Sequence, residues 1–160
     1  MAKIDVAILM GSQSDAEVMG EAAKVLKEFG VSCEMKVISA HRTPKETTAY
    51  AEEFRSKGGK VFICGAGMSA ALAGVVAAHT TLPVIGVPLD ASLDGIDSLL
   101  STVQMPPGVP VGAVAIGKAG AKNAAFLAIR ILSLNQPGLE KKLDAYREDQ
   151  RQKILKTELR

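Results

Sequence analysis

Short, wholly apolar runs alternate along this chain with stretches whose apolar positions return every three or four residues. Val6-Ala7-Ile8-Leu9-Met10 is the first run, closed by Gly11-Ser12. Others follow at Cys33–Ile38, Val61–Cys64, Val84–Pro88 and Val111–Ile116. Helical spacing covers Asp15–Phe29, Thr43–Ser56, about Ser69 to His79, and Ala119–Leu134. Local signals punctuate these segments. Ser14 and Glu17 are spaced as a capping box, and Gly30 stops that helix. Thr43, Pro44 and Glu46 read as N-cap, first helical residue and capping-box acid, with Gly58-Gly59 as the stop. Strands that are apolar throughout predict burial on both faces by helices. The order predicts an α/β protein, a flavodoxin-like three-layer α/β/α sandwich with a central parallel sheet.

After Pro137-Gly138 the pattern changes. Leu139, Leu143, Tyr146 and Ile154 fall near helical spacing among many charges, which predicts an amphipathic helix over about 138–156. The whole chain, 1–160, reads as one domain. The segment Ala70–Ala78 is apolar all round, so both its sides call for cover. A domain of this size has few places to hide such a helix. The expectation is a homo-oligomer with this helix at or near the interface.

Composition narrows the function classes. Apolar residues make up 48% of the chain but aromatics only 4%, with no Trp, so little surface is available for stacking bases or flavin rings. The 19 basic and 17 acidic residues are well mixed, which argues against a dedicated nucleic-acid or membrane surface. Cys33 and Cys64 lie inside predicted strands without metal-site or redox spacing, and read as buried free thiols of a reducing compartment. No secretory leader is read ahead of the first strand, and no uncharged run reaches the roughly 18 residues of a membrane span. A cytoplasmic protein is expected.

In open α/β sheets, ligands bind beyond the carboxyl ends of the strands. Ser39-Ala40-His41-Arg42-Thr43-Pro44 falls there, just before a helix N-terminus that favours an anion. His41 suits a general acid–base near neutrality, and Arg42 matches a phosphate with two parallel hydrogen bonds. A satisfied structural histidine is the plain alternative for His41. Gly11-Ser12-Gln13-Ser14-Asp15 is either a phosphate cradle, with Asp15 facing sugar hydroxyls, or a simple capped helix start. Gly65-Ala66-Gly67-Met68-Ser69-Ala70 fits the dinucleotide pattern G-x-G-x-x-A, but on the third strand rather than the first. Its glycines equally allow close backbone approach by another ligand. His79 reads as structural or interfacial. Asp90, Asp94 and Asp97 fit no calcium loop, and no Walker or zinc-protease motif is present. A phosphorelay receiver would carry an aspartate after the third strand, where this chain has Gly65-Ala66-Gly67.

Taken together, these loops resemble one family. The match rests on Met10–Asp15, Ser39–Pro44, Gly65–Gly67, Leu82–Pro88, Asp97–Pro106 and Ala115–Ala125, in order along nearly the whole chain. The chain resembles the N5-carboxyaminoimidazole ribonucleotide mutases of purine biosynthesis, the PurE family. The resemblance implies a metal-free, cofactor-free isomerisation on a ribonucleotide substrate. The carboxylate leaves the exocyclic nitrogen, CO2 stays trapped, and ring carbon C4 captures it. It implies that His41 shuttles the C4 proton, that Ser12 and Arg42 hold the phosphate with help from Ser39, and that Asp15 binds the ribose. The Gly65-Ala66-Gly67 backbone would line the imidazole and CO2 pocket, with Gly11 and Ala40 in the same substrate-binding loops. Homo-octamers with sites at subunit boundaries are usual in the family.

One stretch departs from the mutase pattern. Where bacterial mutases typically read Gly-Gly-Ala-Ala-His-Leu-Pro-Gly, this chain reads Gly67-Met68-Ser69-Ala70-Ala71-Leu72-Ala73-Gly74. Ala71 replaces a second histidine and Ala73 a proline. Met68-Ser69 and the missing histidine are similar to the sister enzymes that carboxylate aminoimidazole ribonucleotide directly with CO2. Direct carboxylation is therefore the alternative reading, and a non-catalytic nucleotide-binding module is a third.

Overall fold

The computed structural model describes residues 3–157. Five parallel strands form one sheet in the order β2-β1-β3-β4-β5. They are β1 (Val6–Met10), β2 (Cys33–Val37), β3 (Val61–Gly67), β4 (Val84–Leu89) and β5 (Gly112–Ala113). β1 lies between β2 and β3, with Met10 opposite Val37 on one side and Gly65 on the other. The chain leaves β1 for one neighbour, then crosses to the other. This topological switch opens a crevice beyond the carboxyl ends of β1 and β3.

Alternate side chains of the central strands enter two cores. Val6, Ile8, Met10, Ile63, Ile85 and Val87 face helices α1 (Ala16–Phe29) and α5 (Gly117–Ser133). Ala7, Leu9, Phe62, Cys64 and Val84 face α2 (Pro44–Phe54) and α3 (Leu72–Ala78). Burial pushes the Cys64 thiol far above its ordinary pKa, so it packs as a small inert hydrophobe. The three-layer α/β/α sandwich expected from the pattern is what the chain forms. Among the described residues, no helix is long and apolar enough to cross a membrane.

Several local expectations are corrected. The first cap is Ser12, not Ser14: Ser12 and Asp15 form the capping box of a 3₁₀ turn, Gln13–Asp15, that runs into α1. Gly30 does stop α1, at φ 76°, with its N–H donating to the Leu26 and Lys27 carbonyls. Thr43 makes no side-chain cap to α2, although Pro44 opens that helix as expected. β2 is an edge strand with Met35, Lys36 and Val37 exposed, not a strand buried on both faces. β5 shrinks to two residues, and α3 starts only at Leu72. A helix, α4 (Ile96–Val103), lies in a segment for which the sequence pattern suggested none. Its buried Ser98 hydroxyl donates to the Leu89 carbonyl at 2.8 Å, and Thr102 donates to the Ser98 carbonyl at 2.7 Å. Gly86 makes room for it, since a Cβ there would stand 2.3 Å from the Thr102 methyl.

The tail forms α6 (Pro137–Leu155). Leu139 and Leu143 enter the core, and Lys142 Nζ donates to the Phe29 carbonyl at the end of α1 (2.7 Å).

Candidate active site

Two loops meet at the switch point, beside the end of β3. Ile38 N–H donates to the Met10 carbonyl at 2.8 Å, so the chain leaves β2 still tied to the end of β1. The following turn is closed from within. Ser39 N–H donates to Thr43 Oγ1 (2.9 Å), Thr43 Oγ1 donates to the Ser39 carbonyl (3.0 Å), and Arg42 N–H donates to Ser39 Oγ (3.1 Å). Thr43 thus spends its hydroxyl on the turn rather than on capping α2. The α2 N-terminus keeps its orphan N–H groups for another acceptor. The bonds of this turn run through Ser39, Arg42 and Thr43, and the His41 ring stands exposed.

Arg42 bridges two loops. Its Nη2 donates to the Gly11 carbonyl at 2.6 Å. On the Gly11 side, Ser12 Oγ accepts from Ser14 N–H (3.3 Å) and the Ser14 hydroxyl (2.9 Å), while Ser12 N–H donates to Asp15 Oδ2 (3.1 Å). Asp15 therefore shapes the loop with both oxygens, Oδ1 accepting from the Ser14 hydroxyl at 3.3 Å. Gly11, Ser12, Asp15, Ser39, Ala40 and Arg42 are brought together as the spacing suggested, with His41 on the same turn.

Gly65-Ala66-Gly67 are not a loop but the last residues of β3. Gly65 is a packing glycine: a Cβ would lie 2.3 Å from Met19 Sδ in the α1 core. At Gly67 a Cβ would meet the Ala91 Cβ at 2.8 Å, so β3 and the β4–α4 loop approach closely there. No helix begins until Leu72, which removes the strand–turn–helix geometry that a dinucleotide fingerprint needs. Ala71, at the departure from the mutase pattern, is the N-cap residue of α3.

Two features escaped the sequence reading. Lys118 at the start of α5 pairs with Glu17 in α1 at 2.5 Å, a contact across 101 positions that no local pattern signals. The Lys118 hydrogen bond holds the Glu17 carboxyl below its ordinary range. His79 is likewise placed beside a carboxylate, with Nδ1 3.0 Å from Glu52 Oε1, at the end of α3. That pair lies on the far side of the sheet's strand ends from His41 and has no part in the crevice.

A doubly wound parallel sheet with an arginine and hydroxyls gathered at its switch point belongs to the α/β class whose ligands bind beyond the carboxyl ends of the strands. The family model described as AIR carboxylase matches residues 5–153, and the chain belongs to that family. It is 58% identical over 145 residues to the N5-carboxyaminoimidazole ribonucleotide mutase of Pyrococcus abyssi, covering 90% of this chain and 82% of that one. The mutase of Bacillus subtilis is 54% identical over 153 residues, 95% and 94% of the two chains. Among solved structures, Treponema denticola PurE superposes with a TM-score of 0.85 at 34% identity, over 94% of this chain and 93% of that one.

Proposed function

We propose that this chain converts N5-carboxyaminoimidazole ribonucleotide to 4-carboxy-5-aminoimidazole ribonucleotide, an isomerase of purine biosynthesis. The observation that carries the reading is identity of 58% across 90% of the chain to a mutase. The joined Gly11, Ser39 and Arg42 loops support it.

The roles follow from chemistry. Arg42, Ser12 and Ser39 hold the ribotide phosphate at the open N-terminus of α2. Asp15 keeps lone pairs for the ribose hydroxyls. The imidazole and CO2 occupy the floor formed by Gly65, Ala66 and Gly67. The carbamate C–N bond breaks and its electron pair returns to nitrogen, which takes a proton from protonated His41. Ring carbon C4 then bonds to the freed CO2, and its proton passes to His41. The reaction is redox-neutral, so we assign neither cofactor nor metal. We assign the enzyme to the cytoplasm and to a homo-oligomer of octameric type.

The deciding assay is conversion of N5-carboxyaminoimidazole ribonucleotide without added bicarbonate. Turnover under that condition is expected. A strict requirement for CO2 or bicarbonate, with aminoimidazole ribonucleotide as substrate, would instead make the chain a direct carboxylase.

A further inference from the structure

Among the described residues, the non-glycine positions with positive φ are Met68 (55°), Leu93 (45°) and Asp94 (52°). An L-residue there costs about 1–2 kcal/mol of backbone strain that glycine would avoid. All three lie on two neighbouring loops, those following β3 and β4. The loops touch where Gly67 meets Ala91, one residue before Met68 and two before Leu93. Both large side chains are then left in the open: Met68 is 61% exposed and Leu93 75% exposed. Strain and exposure of apolar surface are each unfavourable, and here they coincide at the rim of the Gly65–Gly67 floor. Strained positions that persist in such a place point to a task.

We propose that Met68 and Leu93 are positioning residues that form an apolar cover over the floor and retain CO2 between the two half-reactions. This rests on the isomerase reading above. The chemistry asks for such a cover. CO2 carries no charge for the site to grip, and once the C–N bond has broken it returns to nitrogen, is captured by C4 or escapes. Apolar bulk over the floor blocks escape and keeps out water that would hydrate CO2. Left-handed backbone sets Met68 and Leu93 on the loops that leave β3 and β4, beside the Gly65-Ala66-Gly67 strand end.

The test is label retention. Substrate bearing heavy carbon in its carboxylate is turned over in unlabelled bicarbonate, with spontaneous carbamate loss subtracted. Wild type is expected to keep the label in the product. Met68→Gly with Leu93→Gly is expected to fold at least as stably, because glycine accepts the backbone angles, yet to lose several-fold more label to solvent. Met68→Leu, which restores bulk, is expected to retain label as wild type does. Full retention in the double-glycine variant overturns the proposal. So does equal loss in Met68→Leu, or a change in subunit assembly with retention intact. A wild type that does not convert the substrate overturns the isomerase reading and this one with it; normal wild-type conversion separates the two failures.

Discussion

His41 is the acid–base of the proposed reaction, and the turn that carries it is fixed without it. Ser39, Arg42 and Thr43 supply the bonds. His41→Asn should therefore leave the turn intact. Its kcat is expected to fall about 10²–10⁴-fold, the range for losing a positioned acid–base. Ribotide affinity, measured by calorimetry, should change little. A variant that binds and turns over normally would show that the imidazole has no part in the chemistry. Residue identity at this scale was readable in advance because chemistry depends on residue type. What each polar atom does was not. The Thr43 hydroxyl could accept from the first N–H groups of α2 or close the turn with the Ser39 backbone, and only tertiary placement chose between them.

Elements were legible where packing and local pattern agree. β1, with five buried residues, could hardly be mistaken. Boundaries failed where they disagree. α4 went unseen because Asp94-Gly95 reads as a turn and the helix is short, while its buried face is Ser98 and Thr102 rather than aliphatic. The glycines of β3 read as a loop because glycine is depleted in strands. Here the strand tolerates Gly65 since α1 presses Met19 into the missing side chain's place. Gly65→Ala is thus expected to lower stability by about 1–3 kcal/mol by overpacking. Met19 is fully buried and cannot swing aside. In a Met19→Ala background the same substitution should cost markedly less, as chemical denaturation would report. Equal costs in both backgrounds would exclude the Met19 contact as the cause.

At the scale of the molecule, one chain leaves apolar surface unmatched. Ile96, Leu100 and Val103 form an exposed row on α4. Gly74 and Val75 of α3 are only partly covered. Met105, just past α4, lies against Gly74, so the two surfaces are continuous. Patches of this kind mark association surfaces. Sedimentation is expected to give a mass several times the 16.7 kDa of one chain. Leu100→Glu should shift it towards the monomer. A wild-type monomer would count against the assembly. The all-apolar Ala70–Ala78 segment foreshadowed part of this surface, but the α4 row could not be anticipated from a helix that went unseen.

The bond from Arg42 to the Gly11 carbonyl has a consequence for affinity. A free arginine carries about 2 kcal/mol of rotamer entropy, most of which a ligand would have to quench on arrival. Here the folded chain already ties one nitrogen of the guanidinium to the Gly11 carbonyl. In the phosphate-holding role proposed for Arg42, part of that ordering cost falls on folding rather than on ligand capture.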